Sequence, residues 1–182
     1  MRIAVFCSAR SDIERSWIDD TINLGDWIGK SGNTLVYGGV ELGLMKILAD
    51  SARKAGGKTV GIVPIKRQNA EDRENSINIH VGDLNHRKEA FMQLADVFVA
   101  LPGGYGTLDE IVSVFTSLRF SEDPRKLIIL NSDKLYENLR LQYYSMIEHG
   151  LLEPAFLKSM IFVDTIKGVI ENLSQVQDSL LK

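Results

Sequence analysis

The stretch Pro102-Gly103-Gly104-Tyr105-Gly106-Thr107-Leu108-Asp109-Glu110 combines three glycines, a hydroxyl and two carboxylates within nine residues. Glycine lets a backbone approach an anion closely, and the unpaired N–H groups at a helix start point at that anion with the favourable end of the dipole. Thr107 adds a hydroxyl donor. No Gly-Lys-Ser/Thr follows, so this is not a Walker loop, and the lack of a glycine near Asp109 separates it from the dinucleotide fingerprint. A bare Gly-Gly-x-Gly serves equally well as a tight strand-to-helix turn with no ligand. Glu110 reads as lying in the first turn of a helix that starts at Thr107. There it either complements the dipole or, with a phosphate on the glycines, stands beside the attached sugar. A carboxylate so placed can orient water or stabilise positive charge developing on a ribose ring.

A second group, Asn85-His86-Arg87-Lys88, opens the helical segment before the strand that feeds the glycines. Basic residues near a helix start oppose the dipole. A solvated surface face explains an isolated Arg-Lys pair, whereas beside an anion loop the two cations are what a phosphorylated substrate requires. His80, His86 and His149 lack metal-ligand spacing, so no metal is expected. Cys7 is the only cysteine, which excludes an internal disulfide. At the end of an apolar strand it reads as core rather than nucleophile.

These residues must be positioned by an alternation of apolar runs and helical periods. Strands are expected at Arg2–Cys7, Asn33–Tyr37, Thr59–Val63, Ile77–Val81, Val97–Leu101, Leu127–Leu130 and Met160–Val163. Helices are expected at Asp12–Lys30, Leu44–Lys54, Leu84–Leu94, Thr107–Leu118, Asp133–His149 and from Ile166 onward. In the first helix Trp17, Ile18, Ile22, Leu24 and Ile28 are available for one face. Ile65–Glu74 reads as a polar loop near the site. Continuously apolar strands alternating with helices imply an α/β fold: one Rossmann-like, doubly wound parallel sheet with helices on both faces, filling residues 1–182 as a single domain. Ligands bind beyond the carboxyl ends of such strands, which directs attention to loops 8–11, 38–43, 64–75 and 102–107.

Bulk properties narrow the classes. With 182 residues, 45% hydrophobic and 25% charged, and a net charge of −3, the chain is ordinary for a soluble domain. Its interspersed charges provide no footprint for nucleic acid or an anionic membrane. No apolar run approaches the ~20 residues a membrane-spanning helix needs, and the first residues do not read as a secretory signal. A reducing cytoplasm is the expected location.

The two motifs together, Asp83 through Lys88, Leu94-Ala95-Asp96 and Pro102 through Glu110, resemble the LONELY GUY (LOG) family. Its members are cytokinin riboside 5′-monophosphate phosphoribohydrolases, long labelled lysine decarboxylases. The family signature Pro-Gly-Gly-x-Gly-Thr-x-x-Glu and its upstream Arg-Lys are intact at the expected separation. The similarity extends through Val5-Phe6-Cys7, Tyr37-Gly38-Gly39 and Gly43-Leu44-Met45, over roughly residues 1–150. It implies hydrolysis of the N-glycosidic bond of a nucleoside 5′-monophosphate, either a cytokinin riboside monophosphate or AMP, without a cofactor. It also implies a homodimer, for which helices 84–94 and 107–118 are the candidate surfaces. By position, Arg87 and Glu110 become the catalytic pair. Lys88, Gly103, Gly104, Tyr105, Gly106 and Thr107 hold the nucleotide, Thr116 contacts substrate, and Glu71 is a weaker match. Ser8, Ala9, Arg10, Val40, Lys46 and Ser117 depart from the family pattern and bear on the choice of base. A second class of reading is a protein that binds a nucleotide or phosphorylated cofactor without hydrolysing it. Amino-acid decarboxylation would need a Schiff-base lysine, for which the sequence offers no context.

Overall fold

The computed structural model describes residues 1–65 and 76–181. Seven strands form one fully parallel sheet: β1 (Arg2–Phe6), β2 (Thr34–Tyr37), β3 (Lys58–Pro64), β4 (Ser76–Val81), β5 (Val97–Ala100), β6 (Leu127–Leu130) and β7 (Met160–Val163). They are ordered β4-β3-β2-β1-β5-β6-β7. The chain winds outward from β1 to β4, crosses back to place β5 beside β1, and continues outward to β7. Phe6 is level with Ala100 in the β1–β5 register. The loops leaving these two strands therefore diverge at the topological switch point, where an open α/β sheet has its crevice.

Alternate residues of the central strands feed two cores. Ile3, Val5, Val97 and Val99 pack beneath α1 (Arg15–Lys30), α2 (Gly43–Lys54) and α6 (Ile166–Leu180), against Leu24, Ile28, Leu48, Val169 and Leu173. Ala4, Phe6, Phe98 and Ala100 face α3 (Leu84–Leu94), α4 (Tyr105–Phe120) and α5 (Glu137–Glu148), against Phe91, Ile111, Val114 and Phe115. Burial on both faces is why these strands are continuously apolar. No helix among the described residues is long and apolar enough to cross a membrane.

Several expected boundaries move. The first helix begins at Arg15 rather than Asp12, and its Ile22 is 42% exposed instead of sharing the inward face of Leu24 and Ile28. The helix after the glycines begins at Tyr105, not Thr107, because Gly104 is already its N-cap. The expected helix Asp133–His149 is interrupted. Ser132–Lys134 is a 3₁₀ turn, Asp133 and Lys134 have φ of 53° and 56°, and α5 starts only at Glu137. Two side-chain bonds hold that turn: Trp17 Nε1 donates to Asp133 Oδ2 at 2.8 Å, and the Tyr136 amide donates to Asn131 Oδ1 at 2.8 Å. Such local bonds compete with helical continuation. A further 3₁₀ segment, Pro154–Ser159, precedes β7.

Candidate functional site

Helix α3 brings the upstream cation to the crevice. Asp83 caps it, with Oδ1 accepting from the amides of Asn85 and His86 at 2.8 and 3.0 Å. This cap satisfies first-turn donors and places a negative charge at the positive end of the dipole. One turn later, Arg87 Nη2 donates to Glu110 Oε1 at 2.6 Å, with the two side chains 12% and 9% exposed. The guanidinium also lies 5.6 Å from the centroid of the Phe91 ring, which itself meets Phe6 edge-on. Gly38, just beyond β2, leaves the space: a Cβ there would stand 2.8 Å from Arg87 Nη2 and 3.0 Å from Met45 Sδ.

Glu110 is the sixth residue of α4, so it lies beyond the first turn and does not serve the dipole as its sequence position suggested. Burial pushes its carboxyl up to about 7; the charge and hydrogen bond of Arg87 oppose the shift, Asp109 reinforces it, and Lys88 opposes it more weakly. The thiol of Cys7 is driven upward by burial and then by the neighbouring Glu110, so it remains protonated core.

The glycine loop is tied to both sides of the switch point. The Leu101 amide donates to Phe6 O at 2.9 Å and the Ser8 amide to Pro102 O at 3.1 Å. Gly103 admits no side chain, because a Cβ there would overlap that of Thr107, which folds beneath the loop and is 4% exposed. The hydroxyl expected as an outward donor thus lies under Gly103. Gly104 and Gly106, by contrast, have nothing within 4 Å of an added Cβ. Helix α4 has no side-chain cap, so its first amides remain available to an anion. Tyr105 stands 93% exposed at the entrance.

The remaining candidate residues are distributed differently. Lys88 Nζ is paired with Asp109 at 3.1 and 3.2 Å on the rim. Thr116 is exposed on the outer face of α4, turned away from the buried Glu110, in a stripe with Tyr105, Leu108, Val112 and Phe120. Glu71 lies outside the described residues. A groove of about 650 Å³ runs between α3 and α4, with Phe91, Met92 and Val114 as apolar lining and Asn85, Ser113 and Glu110 as polar lining.

Two residues of the assembly were not assigned roles from sequence. Gly38 belongs to a recognisable Tyr-Gly-Gly, but nothing local says that it makes room for an arginine 49 positions later. Tyr136 is 5% exposed, and its Oη donates to Leu101 O at 2.9 Å. No signal in the sequence marks that contact.

The family model described as "Possible lysine decarboxylase" matches residues 45–173. A probable cytokinin riboside 5'-monophosphate phosphoribohydrolase of Oryza sativa subsp. japonica is 30% identical over 176 residues, covering 96% of this chain and 78% of that protein. A cytokinin riboside 5'-monophosphate phosphoribohydrolase of Arabidopsis thaliana is 29% identical over 177 residues, covering 96% and 82%. Among solved structures, the molybdenum cofactor binding protein from the phototrophic bacterium Rippkaea orientalis superposes with a TM-score of 0.74 over 96% of each chain at 23% identity, a likeness of fold.

A carboxyl raised above its ordinary value stabilises the fold below its unfolded pKa, and that contribution is lost as pH rises through the folded value, here about 7. Removing the cation should extend this loss. Arg87→Met is expected to move the Glu110 carboxyl resonance to still higher pH. Its destabilisation should approach about 3–5 kcal/mol near pH ~8 and shrink near pH ~5, where the carboxyl is protonated. Denaturation at both pH values checks this, and a pH-independent loss would contradict the buried-pair account.

Proposed function

With the chain belonging to the LONELY GUY (LOG) family, whose model carries the description "Possible lysine decarboxylase", we propose that it hydrolyses the base–ribose bond of a nucleoside 5′-monophosphate. The products are free base and ribose 5-phosphate. The observation that carries the reading is the buried contact between Arg87 and Glu110 beside an uncapped glycine-rich helix start.

The chemistry divides between the two parts. The amides of the loop take the phosphate, as helix N-termini do. The C1′–N bond then breaks with its electron pair leaving on the base, through a transition state resembling an oxocarbenium ion. Glu110, ionised, stabilises the ribosyl cation and accepts a proton from the water that attacks C1′. That proton then passes through solvent to the departed base anion, which gives the neutral free base and restores the carboxylate. Arg87 holds that carboxylate and supplies positive charge toward the departing base. A guanidinium hardly gives up its proton near neutrality, so its contribution is electrostatic. The groove between α3 and α4 borders Glu110 and has the mixed lining suited to a base. Cytokinin riboside monophosphates, the substrates named for the plant relatives, and AMP are the substrates to compare. A decarboxylase would instead require a lysine poised for a Schiff base, whereas Lys88 at this site lies 3.1 Å from Asp109 Oδ2 on the rim.

Glu110→Gln should keep most of the nucleotide affinity and lower base release by on the order of 10²–10³-fold or more. Chromatography of free base from AMP and from a cytokinin riboside monophosphate provides the assay. Near-normal release by the variant would overturn the role of Glu110, and tight binding without release by the unaltered protein would favour a carrier of phosphorylated ligands. Because the ionised carboxylate is the working form, kcat/KM is expected to rise as pH passes about 7. A profile flat between pH ~5.5 and ~8.5 would contradict this assignment.

The proposal includes a homodimer. The stripe Tyr105, Leu108, Val112 and Phe120 leaves apolar surface on the outside of α4, and a two-fold pairing would cover it. Val112→Asp should then shift the sedimenting species to a monomer, while an unaltered dimer would remove α4 from the interface.

A further inference from the structure

We infer that Tyr136 is the positioning residue of the anion loop, bonding Leu101 O from beneath so that the glycines that follow are held in place where the strand ends. The inference rests on the phosphate-binding role proposed above for this loop. Tyr136 lies in the turn between β6 and α5, 35 residues from the carbonyl it bonds. Its Oη donates to Leu101 O at 2.9 Å. One buried hydroxyl thereby holds the chain two residues before Gly103, at the place where the strand ends and the loop begins. Only Pro102 lies between Leu101 and Gly103, and its carbonyl accepts from the Ser8 amide.

The phenol is itself held. The Tyr136 amide donates to Asn131 Oδ1 at 2.8 Å, Asn131 Nδ2 donates to Glu137 Oε2 at 3.0 Å, and the Asn131 amide donates to Val163 O at 2.7 Å. The left-handed residues Asp133 and Lys134 allow the chain to turn so that Tyr136 points back under the sheet's carboxyl edge. The groups facing the phenol are the buried Cys7 and Glu110, which with burial raise its pKa. It therefore stays protonated and keeps donating to Leu101 O across the working pH range.

The arrangement has a chemical consequence. Gly103 is a spacer whose missing side chain admits Thr107, while the exposed glycines are Gly104 and Gly106. A phosphate on the loop then meets amides whose direction is set by a contact formed before it arrives, and such preorganisation raises affinity without a new contact. A phenol supporting only the core would affect every ligand of the crevice alike. A phenol that aims the loop acts on the phosphate alone.

The test uses the full chain and two probes that differ only in the phosphate, AMP and adenosine. Tyr136→Phe keeps the ring and removes the hydroxyl, leaving the Leu101 carbonyl without that donor. AMP affinity should fall by on the order of tenfold with adenosine affinity unchanged, and the KM for AMP should rise by more than kcat falls. Unchanged AMP affinity, or equal loss for both probes, would overturn the clamp. Should the variant not fold, amide resonances of the unaltered protein decide. AMP is expected to shift the loop amides from Gly103 to Thr107 and the Tyr136 ring resonances together, adenosine to leave them in place, and equal shifts with both probes would overturn the inference. If the unaltered protein binds AMP with this pattern yet releases no base, the hydrolase reading fails and the clamp stands.

Discussion

The site depends on keeping a carboxylate and a guanidinium in contact where water has been almost entirely removed. Desolvation alone would leave Glu110 neutral at physiological pH, while Arg87 at 2.6 Å draws it back toward the charged form. A buried ion pair of this kind contributes uncertain net stability, since the loss of hydration offsets much of the Coulomb gain. Its value lies in reactivity: a carboxyl balanced near neutrality, held rigidly and shielded from solvent, interacts strongly with positive charge that appears next to it.

Much of the surrounding structure makes this pair possible. The order of the strands brings the exits of β1 and β5 together, so helices α3 and α4 approach the same crevice from one face of the sheet. Gly38 leaves room for the guanidinium, and Phe91 presents a ring to it. Thr107 lies beneath Gly103, and Tyr136 fastens the loop to the end of β5. Each element fixes the direction of a charge or an amide before any ligand arrives, which is the condition under which electrostatic stabilisation works.

The same framework explains why one fold serves different chemistries. The protein of Rippkaea orientalis that shares this architecture binds a cofactor, and the plant relatives are phosphoribohydrolases. A fold alone does not settle the chemistry, which lies in the residues at the crevice. In this chain the crevice also holds a buried carboxylate, Glu110, in contact with Arg87.

The sequence by itself determined the architecture. Strands such as Val97–Ala100 are apolar throughout because both faces are covered, and the alternation with helices allows little other than a parallel sheet. It also marked the glycine loop, Arg87 and Glu110 as candidates, since local patterns carry those signals, and the fold brings Arg87 and Glu110 into contact. It did not determine the break at Ser132–Lys134, which arises from Trp17 and Asn131 bonding to the turn. Nor did it reveal Gly38 as the notch for Arg87, the inward Thr107, the pairing of Lys88 with Asp109, or Tyr136 under the loop. These depend on residues brought together from distant parts of the chain. Periodicity and motif spacing report the backbone's local preference and which face is buried. The direction of a side chain, and so the pKa of Glu110, is decided only when separate elements close around it and exclude water.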